Sequence, residues 1–228
     1  TQMAIAVGTA LSAFYDLRLS VRDIAQMTER GARSGIGVAT FEQGGLVVDG
    51  GRGKHTLTPP VISRMTVPDD WRFILVFDRR GQGLHGKQEI QAFKELPPFP
   101  QQEAARLCYL LMMQGLPALA EGDIQLFGDA ITQLQTSVGE HFASAQGGVF
   151  TSQEVASVMQ FLQQQGAVAI GQTSWGPTGF CAVQGVELAE RLKQQVENDY
   201  AHCENLSVLI ASARNSGGEV IVERTLVR

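Results

Sequence analysis

The chain has 228 residues, 44% of them hydrophobic and 18% charged, enough for one or two domains at ~150 residues each and too apolar for a disordered or fibrous protein. Eighteen basic against 23 acidic residues give a net charge of −5, and no basic run is dense enough to track a phosphate backbone, so a nucleic-acid partner is a poor match. Cys108, Cys181 and Cys203 are widely spaced with no CxxC, which points away from a zinc site or disulfide framework and toward a reducing, cytoplasmic location; no apolar run reaches the ~18 residues of a membrane span.

Residues 3–17 are apolar almost all round and predict a buried helix, with only Thr1 available to cap it. Ser20-Val21-Arg22-Asp23 is a capping-box pattern opening a second helix to about residue 30. Residues 38–42 and 46–49 read as strands of a hairpin turned at Gln43-Gly44-Gly45, and residues 61–67 as a further strand. Residues 71–77 are the strongest strand signal, apolar on both faces apart from Arg72, as in a central strand. Helices are expected over 87–96, over 102–114 as a buried element in which Met112 and Met113 pack, and from Pro117 to about 138 with a stripe of Phe127, Ala130, Ile131, Leu134 and Val138. Thr151-Ser152-Gln153-Glu154 is a second capping box, and the helix behind it buries Val155, Val158, Met159 and Leu162 before stopping at Gly166. Strands follow at 167–170 and 180–183, a helix at 186–200, and a hairpin of 206–213 with 219–224 about Asn215-Ser216-Gly217-Gly218. This order predicts an α+β fold with largely antiparallel sheets and a boundary near Pro68.

Two loops carry candidate chemistry. The first is Arg33-Ser34-Gly35-Ile36-Gly37 together with Asp49-Gly50-Gly51. Glycine turns let backbone N–H groups converge on an anion, Arg33 offers a forked donor, and Asp49 suits a hard cation. The plain alternative is a pair of ordinary turns. The second loop is Gly171-Gln172-Thr173-Ser174-Trp175-Gly176-Pro177-Thr178-Gly179, where Trp175 either stacks on an aromatic ligand or plugs the core. Asp78-Arg79-Arg80-Gly81, after the central strand, either presents arginines to phosphates or forms a solvated turn. His55, His85, His141 and His202 show no metal-ligand spacing, and Glu121 and Asp123 suit a helix start.

The runs Arg33–Gly37, Phe41, Gly44-Gly45, Asp49–Gly51, Gly86-x-x-Glu89 with Phe93, Glu121-Gly122-Asp123 with Phe127-Gly128, and above all Gly171–Thr178 resemble those of the β-ribofuranosylaminobenzene 5′-phosphate synthase family of the GHMP superfamily. The resemblance implies a partial ribosomal-S5-like domain over 1–67 and a ferredoxin-like α+β domain over 68–228. It also implies phosphoribosyl transfer from phosphoribosyl pyrophosphate to 4-aminobenzoate, with loss of carbon dioxide and pyrophosphate, on the tetrahydromethanopterin pathway, with Mg²⁺ as cofactor and a homodimer possible. Arg33, Ser34 and Asp49 are then the catalytic candidates, Asp49 also the metal ligand. Thr1, Gln2, Gly35, Gly37, Gly50, Gly51, Gly171, Gln172, Ser174, Trp175, Gly176 and Thr178 are the substrate-binding candidates. Thr1-Gln2 matches the end of the family's phosphate-cradling glycine loop, so upstream strands are expected to be missing and the fragment alone inactive. The rival expectations are an ATP-dependent small-molecule kinase of the same superfamily and a noncatalytic ligand-binding domain.

Overall fold

The computed structural model describes residues 2–81, 83 and 87–223. The chain divides into two compact units, Thr1–Val67 with Ala213–Arg228, and Pro68–Ser212.

In the first unit, α1 (Gln2–Phe14), α2 (Val21–Met27) and α3 (Ile36–Gln43) precede β1 (Leu46–Asp49) and β2 (Val61–Met65), which pair antiparallel. The Ser20 capping box is formed: its hydroxyl accepts from Asp23 N, and the Asp23 carboxylate accepts from Ser20 N at 2.9 Å. Residues 38–42 are helical, not a strand, so the expected hairpin does not form and β1 takes β2 as its partner. The reason is tertiary: Val38 is buried with Ile5 and Ala25, a contact that a turn of helix presents, while Gly44 at φ 65° ends the helix. The apolar helix α1 is only partly buried. Ile5 and Ser12 are enclosed, but Met3, Val7, Leu11 and Phe14 are more than half exposed. The tail belongs to this unit as well. The Asn215 side chain donates to Val67 O and accepts from Val67 N, Gly45 N donates to Arg214 O, and Gly218 N donates to Phe41 O. These bonds take up the turn's polar groups, so 219–223 add no strand beside 206–211, contrary to expectation; Arg224 lies outside the described residues.

The second unit contains β3 (Trp71–Asp78), α4 (Lys87–Glu95), α5 (Gln101–Leu110), a π-helical turn (Leu111–Gly115), α6 (Leu116–Glu121), α7 (Ile124–Gln146), α8 (Gln153–Gln164), β4 (Val168–Gln172), β5 (Gly179–Gln184), α9 (Val186–Asp199) and β6 (Leu206–Ala211). The sheet runs β4-β5-β3-β6 with every pair antiparallel, the split βαβ order of a ferredoxin-like domain. On one face of β3, Ile74 and Val76 are fully buried with Val155, Val158 and Leu162 of α8 and with Leu192 and Val196 of α9. The helix expected from Pro117 is two helices. Gly122 in a left-handed conformation ends α6, and Asp123 caps α7 through Leu126 N. Around the π-helical turn, Leu107 and Leu110 are buried, but Met112 and Met113 are exposed rather than packed.

Alternation places Asp78 on the same face as Ile74 and Val76, at the rim of the core, where it is 7% exposed. Five donors meet its carboxylate: Arg80 N, Nε and Nη2, Ser152 Oγ at 2.7 Å, and Asn205 Nδ2 at 3.0 Å. Arg80 also reaches Glu154 at 2.6 Å. The Arg80 guanidinium holds the Asp78 carboxyl well below the usual range, against the opposing effect of burial. Arg79 and Arg80 form an exposed turn, the second of the two expectations, and within it the Arg80 guanidinium neutralises a buried charge.

Two outcomes follow for stability. Because the folded carboxyl titrates below its unfolded value, Asp78 stabilises the fold above about pH 4 and loses that contribution as pH falls. Denaturant unfolding followed from pH 7 to pH 3 should show a steeper acid loss in the native protein than in Asp78→Asn, which should be less stable at pH 7 by about 2–4 kcal/mol. A Cβ on Gly128 of α7 would lie 2.3 Å from Val168 Cβ and 2.9 Å from Ala169 N, so Gly128→Ala should lower the unfolding midpoint, costing about 1–3 kcal/mol.

Candidate functional site

In the first unit the candidate loop is organised by one carboxylate. Asp49, at the end of β1, accepts from Ser34 Oγ at 2.9 Å, Gly35 N at 2.8 Å and Gly51 N at 3.1 Å. Ser34 Oγ in turn accepts from Ile36 N, at the start of α3. The structure thus brings together Ser34, Gly35, Asp49 and Gly51, four of the candidates drawn from two separate glycine runs. Arg33 and Gly50 are exposed beside them. Gln2 donates through its side chain to Gly37 O at 3.0 Å and Thr40 Oγ1 at 2.9 Å, so its amide ties the start of α1 to α3. The first turn of α1 holds no acidic side chain, which keeps its N–H groups favourable to an anion. Thr1 lies outside the described residues, as does Gly86.

In the second unit the loop between β4 and β5 is held from behind. Gln172 is 8% exposed; its Oε1 accepts from Thr151 N and its Nε2 donates to Gln146 Oε1. Thr151 Oγ1 donates to Trp175 O, and Thr173 N donates to Thr178 O across the loop. Trp175 is 6% exposed, with its ring centroid 4.6 Å from Phe142 and 5.3 Å from Phe93. Of the two sequence readings, the core plug describes its position. Gly176 is required here: its φ is 64°, and a Cβ would come within 2.5 Å of Thr151 Oγ1. Ser174 is exposed and Gly171 is buried against Gln135, so the outer rim of the loop is Thr173, Ser174 and Thr178.

Sequence reasoning missed Gln146 altogether, and named Thr151 only as part of a helix cap and Asp78 only as the start of a loop. The hold of Thr151 and Gln146 on the loop left no signal, because it comes from the contact of the α7–α8 connection with that loop. Asp78 left one, a carboxylate in phase with Ile74 and Val76. The arrangement offers little nucleophilic or metal chemistry of its own. Burial pushes the Cys181 thiol up to about 12. His141 packs between Phe99 and Phe142, and His202 stacks on Tyr200. Among the described residues no group of three or more His, Cys, Asp or Glu side chains is arranged to hold a metal, and no helix is long and apolar enough to cross a membrane. A carboxylate has about four lone-pair directions, and the three donors on Asp49 leave one open on Oδ1. That is no cage, but it fits a magnesium ion carried chiefly by a ligand's phosphates, which needs only one or two protein carboxylates.

Residues 116–202 match the GHMP kinases C terminal family. In structure, the chain resembles mevalonate diphosphate decarboxylase from Staphylococcus aureus (TM-score 0.66, 16% identity, covering 96% of this chain and 66% of that one) and homoserine kinase from Cytophaga hutchinsonii (TM-score 0.64, 15% identity, 95% and 65%). These likenesses establish the GHMP fold. In sequence it is 29% identical over 78% of its length to beta-ribofuranosylphenol 5'-phosphate synthase from Methanothermobacter thermautotrophicus, of which it spans 56%. It is 33% identical over 97% of its length to the protein of the same name from Archaeoglobus fulgidus, of which it spans 71%. The expected resemblance therefore holds, and the chain belongs to the beta-ribofuranosylphenol 5'-phosphate synthase family.

Proposed function

We propose that the whole protein transfers the phosphoribosyl group of phosphoribosyl pyrophosphate to the carboxylate-bearing ring carbon of a 4-substituted benzoate, releasing pyrophosphate and carbon dioxide. The observation that carries this reading is the 33% identity running over nearly the whole of this chain. The relatives' name specifies a phenol and the resemblance in sequence implies an aminobenzene, so 4-hydroxybenzoate and 4-aminobenzoate are both acceptor candidates.

The chemistry asks for anion contacts at two places. Departure of pyrophosphate leaves positive charge at ribose C1 and negative charge on the leaving group, and the acceptor must already lie in line. In this reading the acid-free start of α1 and the Arg33–Gly35 turn hold phosphate or the benzoate carboxylate, with Arg33 as the forked donor and Ser34 as a hydroxyl fixed by Asp49. The pre-set turn costs no reorganisation as charge develops. Magnesium would neutralise the pyrophosphate, with Asp49 Oδ1 as its protein ligand. The polar rim of the β4–β5 loop, Thr173, Ser174 and Thr178, is a second place for phosphate oxygens, while Trp175 keeps that loop in position. Three free cysteines suit a reducing cytoplasm.

A kinase reading is favoured by the matched C-terminal family and separates cleanly by product. The whole protein supplied with phosphoribosyl pyrophosphate, Mg²⁺ and either carboxyl-labelled acceptor should release labelled carbon dioxide and pyrophosphate in equal amounts. ADP formed from ATP with homoserine or mevalonate, and no carbon dioxide, would replace this reading with the kinase. Arg33→Ala should lower kcat about a hundredfold if its guanidinium meets developing charge. Asp49→Asn turns an amide toward donors that need an acceptor, and should lower kcat/KM by about tenfold or more. Native steady-state constants in both variants would remove this turn from the reaction.

A further inference from the structure

We infer that the groove between α7 and α8 in the second unit is a binding site for an uncharged single-ring ligand bearing a carboxamide. The groove measures about 200 Å³ and backs onto Gly171, Gln172 and Ser174. Among the described residues no Asp, Glu, Lys, Arg or His side chain lines it. Its polar side chains are instead five carboxamides, from Gln135, Gln146, Gln160, Gln163 and Gln172, and the hydroxyls of Thr132, Thr136 and Ser174.

These amides are unequally occupied. Gln172 is buried and spends its side chain on Thr151 N and Gln146 Oε1. Gln146 Nε2 donates to the carbonyls of Gly148 and Val149. Gln135 accepts from Gln172 N at 3.2 Å, which leaves its NH₂ for a further acceptor. Gln160 and Gln163, exposed and three residues apart on α8, make no side-chain hydrogen bond among the described residues. The groove therefore holds unspent donors and acceptors around an apolar wall of Phe142, Phe150 and Met159, the combination that orients a small ligand. A carboxamide offers both donor and acceptor and can pair reciprocally with a glutamine. A charged ligand would lose hydration and meet no counter-charge among the described residues. The volume lies below the ~300–1,000 Å³ of sites for drug-sized molecules, which limits the ligand to one ring with a short substituent.

Benzamide, benzoate and benzylammonium have similar size and differ in charge, so they probe the site directly. Calorimetry and amide NMR of the 228-residue protein should show saturable benzamide binding that moves the Gln172 and Gln160 side-chain resonances, with both charged analogues at least about tenfold weaker. Ala156, half-buried on α8 and facing the groove, gives the blocking variant: Ala156→Leu should weaken benzamide about tenfold while far-UV circular dichroism and the melting temperature stay native. Thr136→Leu, on the exposed α7 rim, is the second blocking variant should the first not fold. No saturable benzamide binding, equal binding of the three probes, or native binding in a folded blocked variant would overturn the assignment.

Discussion

A strand that carries apolar side chains into a core also delivers whatever residue comes next in phase. In β3 that residue is Asp78, and the remainder of the second unit is arranged around the need to neutralise it. Isolated burial of a carboxylate costs several kcal/mol, so it must be fully paired or not buried at all. The partners come from three places: Arg80 two residues on, Ser152 at the cap of α8, and Asn205 just before β6. One charge therefore sets where the central strand ends, where a core helix begins and where the edge strand enters.

That arrangement continues into the candidate site. Ser152 is fixed by Asp78, and its neighbour Thr151 binds Gln172 through its backbone and Trp175 through its hydroxyl. The β4–β5 loop is thus positioned by a line of hydrogen bonds that starts at a buried charge, with the aromatic packing of Trp175 on Phe142 and Phe93 as its second support. The first unit solves a similar problem with a different carboxylate. Asp49 is half-exposed and gathers backbone N–H groups from two glycine turns, so flexible segments acquire one defined shape. In both units the polar clamp lies beside the candidate site, and Arg33 in one and Thr173 and Ser174 in the other are exposed.

Much of this was legible in the residues. The capping box at Ser20, the apolar period of α8, the strand at 71–77 and the alternating β-α-β order all act within one helix turn or one strand pleat, and each is legible from spacing alone; the second expected box is instead a simple cap one residue later, Ser152 accepting from Val155 N. Residues 38–42 were misread because a short apolar run satisfies both periods; burial of Val38 against Ile5 decides for helix. The second hairpin was misread because Asn215-Ser216-Gly217-Gly218 is a good turn, yet its polar groups are taken by Val67, Gly45 and Phe41. Trp175 left two readings open, since a tryptophan beside a strand satisfies either until its neighbours are known.

Sequence by itself determined which segments are helix and strand where the pattern is long, which residues cap them, and, through the glycine runs and the Gly171–Thr178 segment, the family. Tertiary structure alone decided which side chains are spent on holding the fold and which remain for a ligand. The reason is physical: a cap or a hydrophobic period is a local quantity, summed over neighbours in the chain, whereas the state of Asp49, Asp78, Gln172 or Trp175 depends on donors and rings as far as 127 residues away, from Asp78 to Asn205. Those partners are brought together by the fold of each unit, not by neighbourhood in the chain.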